Sequence, residues 1–245
     1  MPNYPQRIKN WILDIIFPKV CLGCGKFTVA SDFDYACEKC FREINLKDTF
    51  ECMGCKRQTR LGLTCVSCKK ENGVDQLLVA AELSDLVVEK MLKAYKYKFV
   101  FDISRPLSVI AKKCIKKLLS KGFSLFEDNP LIIPVPLHKK RLNWRSFNQA
   151  ELLARDISNT YHMSCCDDTL ARIANPKHQA DIKAREDRIN NVKNNFTITD
   201  DKLMWGKTVV LVDDICTTGA TLNECARILK KSGAKKVIGF VIARG

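Results

Sequence analysis

The 245-residue chain is long enough for one full α/β domain and a smaller module, and its content of 46% hydrophobic and 28% charged residues excludes a disordered chain. A formal net charge of +14 favours acidic partners: nucleic acid, phosphorylated ligands or an anionic membrane surface. No segment approaches the length of a membrane span, and thirteen cysteines without a secretory signal indicate metal binding in a reducing compartment. We therefore expect a cytoplasmic protein without a transmembrane segment.

The N-terminal segment, residues 1–19, is predicted to hold a short amphipathic helix over residues 1–17. Trp11 and four isoleucines recur at helical spacing from Ile8 to Ile16, and Pro18 ends the run. Binding to a membrane surface is one interpretation of this stripe. Docking onto the protein's own core is the favoured one, because the stripe is short.

Four Cys-x-x-Cys motifs follow within residues 20–73. Two intervening residues let both thiolates reach one ion from a tight turn, and Zn²⁺ takes four such ligands in a tetrahedron. The motifs therefore predict two closed Cys₄ sites with structural zinc, and spacing leaves sequential and interleaved pairing open. Redox motifs are disfavoured, because they rarely come four in a row. The eight predicted ligands are Cys21, Cys24, Cys37, Cys40, Cys52, Cys55, Cys65 and Cys68.

From residue 74 onward the composition is that of a packed α/β domain. Residues 77–81 are predicted to form a strand, and residues 86–97 and 103–121 are predicted to form helices. Lysines alternate with aromatic residues near the end of the first helix, and lysines line one face of the second. Single-stranded nucleic acid sites use this combination, but a solvated helix face with its rings in the core is the favoured interpretation.

A second buried strand, residues 131–136, leads into a proline-stiffened loop and a basic cluster, and a helix is predicted over residues 147–161. A rigid loop at the carboxyl end of a strand, beside cationic side chains, is an anion site suited to pyrophosphate. His138 could donate a proton there, although a loop histidine is more often a surface group. The candidate residues are Pro134, Val135, Pro136, His138, Arg141 and Arg145.

Residues 209–212 are four consecutive apolar residues, typical of a central parallel strand, and two carboxylates and a small-residue turn follow them. A phosphate gains from the free N–H groups and dipole of the helix predicted over residues 222–231. The acids suit sugar hydroxyls or Mg²⁺. A P-loop is excluded, because Asp201 stands where its first glycine is required. The candidate residues are Asp213, Asp214, Thr217, Thr218, Gly219, Ala220 and Thr221.

This last stretch resembles the loop with which type I phosphoribosyltransferases bind the ribose 5-phosphate of phosphoribosyl pyrophosphate (PRPP). The run from Pro134 to Gln149 is similar to that of the ComF family, bacterial competence and DNA-uptake proteins. The cysteine motifs and the Lys96-Tyr97 pair also fall where that family has them. The chain departs from the family at Ser146, which replaces a glycine whose φ a serine is not expected to adopt.

The resemblance implies an α/β type I phosphoribosyltransferase-like domain over residues 74–245, with a parallel sheet flanked by helices. It also implies a small N-terminal double zinc-ribbon module over residues 20–73. Residues 175–188 are expected to be a mobile loop that closes over a ligand. Arg185 and Arg188 are candidates for clamping phosphates there, and a place on a surface helix is equally compatible with the pattern.

Two hypotheses of function follow. In the first, the protein binds Mg²⁺-PRPP or a related phosphoribosyl ligand, with Asp213, Asp214 and Arg188 as catalytic candidates; the alternative is an active transferase on a nucleobase or another acceptor, unrelated to DNA uptake. In the second, the fold serves single-stranded DNA, with a DNA-uptake helicase or recombination protein as partner. The two are compatible, and a purely structural zinc adaptor is disfavoured.

Overall fold

The computed structural model describes residues 19–28, 33, 35–97, 100–123, 125–126, 128–173, 195–200 and 204–245. The strands are β1 Gln76–Glu82, β2 Leu131–Pro134, β3 Leu170–Arg172, β4 Phe196–Ile198, β5 Thr208–Cys216 and β6 Lys236–Arg244. The α-helices are α1 Glu38–Arg42, α2 Val66–Lys69, α3 Leu86–Tyr97, α4 Ser104–Ser120, α5 Lys139–Arg145, α6 Gln149–Tyr161 and α7 Ala220–Lys231. Short 3₁₀ turns lie at Arg60–Gly62 and Phe101–Ile103.

Within the described residues, four strands form one parallel sheet in the order β1-β6-β5-β2, and β3 and β4 form an antiparallel pair. Strand β5 lies between β2 and β6, so the strand that carries Asp213 and Asp214 is internal. The carboxyl ends of β2 and β5 are neighbours, since Pro134 pairs with Val212. Open α/β sheets bind their ligands at this edge.

Apolar side chains cover both faces of the sheet. Helices α3, α4 and α6 pack on one face, together with Val210 and Val212 of β5. Helix α7 and the β3–β4 pair pack on the other face, together with Val209 and Leu211. Alternate residues of the apolar run 209–212 thus pack into two separate core layers, as expected for a parallel strand.

The described residues of the cysteine-rich segment lie along the outer edge of β1, where Leu46 and Leu63 form isolated bridges with Ala81 and Gln76. The backbone N–H of Lys47 donates to the Ala80 carbonyl at 3.0 Å, and the Thr64 N–H donates to the Asp75 carbonyl at 2.8 Å. Lys47 is buried, and its Nζ lies 3.0 Å from a carboxylate oxygen of Glu51. An edge strand covered in this way cannot pair with another chain.

Several predicted elements differ from the observed ones, and the strand predicted over residues 131–136 ends at Pro134. The helix predicted over residues 147–161 begins at Gln149, because the Asn148 side chain caps it by accepting a bond from the Ala150 N–H at 3.2 Å. The basic segment after β2 forms helix α5, and β6 has no counterpart among the predicted elements. The predicted helix over residues 1–17 lies outside the described residues.

Each helix in the described part of the chain is too short or too polar to cross a membrane.

Candidate functional site

A cleft of about 900 Å³ opens at the carboxyl ends of β2 and β5. Its walls come from the loop after β2, from helices α3 and α5, and from the start of α7. Most of the residues that the sequence predicted for a phosphoribosyl site line this cleft. They are Val135, Pro136, Arg141, Arg145, Asp213, Asp214, Thr217, Thr218, Gly219, Ala220 and Thr221.

The β5–α7 loop, residues 217–219, forms one end of the cleft. Gly219 is the N-cap of α7 and has φ 80°, a left-handed conformation that favours glycine. The Thr218 hydroxyl accepts a bond from the Ala220 N–H at 3.3 Å. The threonine side chains and the first turn of α7, a twelve-residue helix, thus face one space. Free N–H groups and the helix dipole make that space attractive to an anion.

The two acids at the end of β5 differ in their surroundings. The Asp214 side chain is only 5% exposed, and its Oδ1 lies 2.8 Å from Nζ of Lys96 on α3. Asp213 is half-buried, and its Oδ1 accepts the Asp214 backbone N–H at 2.8 Å. Burial and the neighbouring Asp214 charge raise the pKa of Asp213. The positive charge of Lys96 therefore compensates the negative charge of Asp214. Asp213 remains available to a proton, a cation or a hydroxyl donor.

Two buried arginines, Arg145 and Arg172, also line the cleft. Arg145 Nε, and Nε and Nη2 of Arg172, have no hydrogen-bond partner among the described residues. The Arg172 guanidinium lies 5.0 Å from the Phe196 ring centroid. Burial lowers the pKa of both arginines. Buried unpaired N–H groups are costly, and a bound anion would satisfy them.

Sequence reasoning missed Arg172. It lies in a three-residue strand, and the sequence around it shows no cluster of charges comparable to the one after β2. Only its position in the lining of the same cleft as Asp213, with burial of its side chain, indicates a role.

Two residues after α5 form hydrogen bonds with neighbouring segments, one with the loop that follows β2 and one with helix α3. Asn148 Nδ2 donates to the Val135 carbonyl at 3.1 Å, and Gln149 Nε2 donates to the Tyr95 carbonyl at 3.2 Å. Ser146 ends α5 with φ 65°. The expectation that this serine would not take the conformation of a glycine was therefore wrong, because the turn after α5 forces the backbone into the left-handed region.

Other predicted residues lie apart from the cleft wall. Pro134 is buried in β2, and His138 caps α5 by accepting the Lys140 N–H on Nδ1 at 3.1 Å. Burial and four nearby cations lower the pKa of His138. The expected mobile loop of residues 175–188, including Arg185 and Arg188, lies outside the described residues.

The lysine face of α4 makes contacts within the chain. Lys112 Nζ lies 2.9 Å from Asp156, Lys117 pairs with Asp48, and Lys113 Nζ lies 4.5 Å from the Phe41 ring centroid. These contacts favour the interpretation of a structural helix face over a nucleic-acid site on α4.

Two groups of four cysteines lie in the module on β1. The first is Cys21, Cys24, Cys37 and Cys40, and the second is Cys52, Cys55, Cys65 and Cys68. Within each group all sulfur atoms lie within 4.8 Å of one another, so the pairing is sequential. Burial and neighbouring thiols raise the pKa of Cys40 to about 12. Four thiolates at this spacing need a cation, and each group can hold Zn²⁺ as a closed Cys₄ site.

Comparison with known proteins agrees with this architecture. The phosphoribosyl transferase domain family matches residues 166–245. Competence protein F of Haemophilus influenzae (strain ATCC 51907 / DSM 11121 / KW20 / Rd) is 26% identical over 228 residues, which cover 86% of this chain and 98% of that protein. Competence protein ComFC of Bacillus subtilis (strain 168) is 28% identical over 214 residues, covering 85% and 83%.

DNA utilization protein YhgH of Escherichia coli O157:H7 is 34% identical over 113 residues, covering 46% of this chain and 48% of that protein. The parallel sheet, the phosphoribosyl transferase match and the similarity to two competence proteins over 86% and 85% of this chain agree with one another. The chain is therefore similar over most of its length to two competence proteins, and it combines a phosphoribosyl transferase domain with an N-terminal segment that contains two Cys₄ groups.

Proposed function

We propose that the cleft binds Mg²⁺-PRPP or a closely related phosphoribosyl ligand, in a cytoplasmic protein that handles DNA during natural competence. One observation carries the first half of this proposal. The cleft lining brings together the acid pair Asp213 and Asp214, the amino end of α7, and Arg145 and Arg172, whose guanidinium groups each have at least one nitrogen without a hydrogen-bond partner among the described residues. A phosphate would suit the amino end of α7, a diol would suit the acid pair, and a diphosphate would suit the arginines.

The 5-phosphate would lie on the β5–α7 loop. Its charge would be met by backbone N–H groups at the start of α7 and by the hydroxyls of Thr217, Thr218 and Thr221. Gly219 has φ 80° and no side chain, so the backbone can approach the phosphate closely.

The ribose hydroxyls would be bound by Asp213 and Asp214, which line the floor of the cleft. Lys96 holds Asp214 in one orientation at 2.8 Å and offsets its charge. The raised pKa of Asp213 means that its ionised form is disfavoured without a partner. A cation or a hydroxyl donor in the cleft would stabilise that ionised form. Magnesium bound with the ligand would supply positive charge for the diphosphate oxygens.

The diphosphate would lie against Arg145, Arg172 and Arg141. All three line the cleft, and the first two have N–H groups free to donate. In a transfer, a nucleophile bonds to the anomeric carbon as the bond to the pyrophosphate oxygen breaks, and negative charge passes to the leaving group. Fixed guanidinium groups would stabilise that charge. Arg188 would join them from the segment of residues 175–188.

The DNA-handling half of the proposal is supported by the names of the relatives and by charge. Two relatives are competence proteins, a third is a DNA utilization protein, and this chain carries a formal charge of +14. Tyr97 and Trp144 line the cleft and are 65% and 59% exposed, beside Lys93 and Lys140. Exposed rings among cations suit unpaired bases, so single-stranded DNA and a helicase or recombination partner are the proposed macromolecules.

An active transferase on a nucleobase is the alternative function. The exposed rings of Tyr97 and Trp144 at the cleft favour it as well, because a free base stacks on the same surfaces.

Calorimetric titration of Mg²⁺-PRPP into the zinc-loaded protein tests the proposal. We expect saturable binding, with ribose 5-phosphate and pyrophosphate each binding more weakly. The double variant Asp213→Asn with Asp214→Asn should lose this binding, and Asp156→Asn, which changes an acid paired to Lys112, should keep it. Undiminished affinity in the double variant would exclude the cleft as the phosphoribosyl site.

A further inference from the structure

The two cysteine groups begin with the same turn. The first knuckle, residues 21–26, contains Cys-Leu-Gly-Cys, and the second knuckle, residues 52–57, contains Cys-Met-Gly-Cys. In the first, the Cys21 N–H donates to the Lys26 carbonyl at 2.7 Å, and in the second, the Cys52 N–H donates to the Arg57 carbonyl at 2.8 Å. The knuckles are thus structural repeats with Leu22 and Met53 at equivalent positions.

The repeats pack on different parts of the molecule. Leu22 contacts the core layer that contains α3 and α4, and Gly23 lies beside Val87 of α3. Met53 is only 1% exposed and belongs to the layer that contains α7. A Cβ built on Gly219 would lie 2.2 Å from Met53 Cε, so the second knuckle touches the β5–α7 loop directly.

A buried arginine ties the second knuckle to the ends of two strands. Arg244, the last residue of β6, donates from Nη1 to the Cys52 carbonyl at 3.0 Å and from Nη2 to the Met53 carbonyl at 2.7 Å. The next residue, Gly245, donates its N–H to the Cys216 carbonyl at 2.9 Å. The backbone around one cysteine ligand is therefore linked to the residue that precedes the β5–α7 loop.

The other half of the second group is linked to the start of α7, the helix that follows this loop. Asn72 Nδ2 donates to the carbonyl of Cys68 at 2.8 Å. Asn223, in the first turn of α7, donates from Nδ2 to Asn72 Oδ1 at 2.6 Å. The Cys65/Cys68 pair is thus linked through Asn72 to the first turn of α7, next to the segment that would hold a phosphate.

We propose that the second Cys₄ group, through Met53, Arg244 and the Asn72–Asn223 contact, positions the β5–α7 loop for an anionic ligand. The first Cys₄ group stabilises the fold without this role. A zinc ion bound to the second group would fix the turn that carries Met53, so the order of the loop would depend on whether this group holds metal. Met53 is a positioning residue, since it acts through the loop backbone. The ligand side of this inference rests on the proposed function.

The repeat supplies a matched pair of variants, Met53→Ala and Leu22→Ala. Each removes an apolar side chain between two cysteine ligands and leaves all eight cysteines in place, so zinc content should stay at two per chain. Hydrogen exchange of the backbone amides of residues 217–222 in the unliganded, zinc-loaded protein is the direct readout. We expect exchange about tenfold faster in Met53→Ala, little change in Leu22→Ala, and recovery in Met53→Leu. Equal exchange in the two alanine variants would overturn the proposal.

Affinity for ribose 5-phosphate is the second readout. We expect Met53→Ala to bind it about tenfold more weakly than the parent protein, and Leu22→Ala to bind it within about twofold. If the parent protein does not bind ribose 5-phosphate, the proposed function fails, and the exchange measurement still decides whether Met53 positions the loop. Binding that is equally weakened in both alanine variants would show a general loss of stability and contradict the positioning role.

Discussion

Lys96 on α3 and Asp214 at the end of β5 form an ion pair of 2.8 Å with 21% and 5% of their side chains exposed. The pair joins a helix on one face of the sheet to the acid at the centre of the cleft. A carboxylate this deeply buried needs its partner, because desolvation of an unpaired charge costs several kcal/mol.

Removing this partner should destabilise the protein strongly. We expect Lys96→Met to lower the free energy of unfolding by about 2–4 kcal/mol, because Asp214 is left buried and unpaired. Lys112→Met breaks the more exposed pair with Asp156, with 32% and 41% exposure, and should cost less than about 1 kcal/mol. Urea unfolding of both variants measures this difference. Equal losses would show that Asp214 is better solvated than its burial indicates.

Asp213 should make stability depend on pH. Burial and Asp214 raise the pKa of Asp213 to about 7 from the model-compound value of 3.8. Between about pH 4 and pH 7 the folded protein holds a proton that the unfolded chain has released, so stability falls as pH rises through this window and levels off above about 7. We expect the stability advantage of Asp213→Asn over the parent to be larger at pH 8 than at pH 6, by up to about 1 kcal/mol.

Urea unfolding of the two zinc-loaded proteins at both pH values checks this expectation, because the cysteine groups are common to both. A constant difference between the proteins would mean that Asp213 ionises as an ordinary carboxyl group.

Arg172 should affect binding more than stability. Arg172→Gln removes a guanidinium with two unpartnered nitrogens, so we expect the free energy of unfolding to change by less than about 1 kcal/mol. Affinity for magnesium pyrophosphate should fall at least tenfold, because a charge-assisted contact is lost. The control is Arg227→Gln, which changes an arginine paired with Glu224 on α7. Unchanged pyrophosphate affinity in Arg172→Gln would place the diphosphate elsewhere.

Gly219 should tolerate a side chain less well than Gly25, a glycine of similar φ. Gly219 has φ 80° and Gly25 has φ 74°, but a Cβ at Gly25 would meet no atom within 4 Å. Gly25→Ala should therefore lower the free energy of unfolding by about 1 kcal/mol, through backbone strain alone. Gly219→Ala adds the collision with Met53. We therefore expect it to lower the free energy of unfolding by about 1 kcal/mol or more beyond the loss in Gly25→Ala, and to weaken the binding of ribose 5-phosphate.

The double variant Gly219→Ala with Met53→Ala separates the two causes, since it removes the collision and keeps the strain. Thermal unfolding should show partial recovery of stability relative to Gly219→Ala. Absence of recovery would assign the whole effect to the conformation of the backbone.

The sequence by itself determined the parts of this protein that depend on neighbours along the chain. The Cys-x-x-Cys spacing predicts two Cys₄ sites, and the apolar run before Asp213 predicts a buried parallel strand, because both patterns are local. Helix α3 matches its predicted bounds for the same reason. The acids and the β5–α7 loop lie together in the cleft, since consecutive residues at the end of one strand cannot be far apart.

Only the tertiary structure decided which distant residues meet. Sequential pairing of the cysteines, the Lys96–Asp214 contact and the approach of Met53 to Gly219 all join segments far apart in the chain. The same holds for Arg172, whose proposed role depends on its burial in the same cleft as Asp213 rather than on its neighbours in sequence. Such contacts follow from the order of the strands and the packing of the cysteine-rich module on β1, and a pattern within one segment does not encode them.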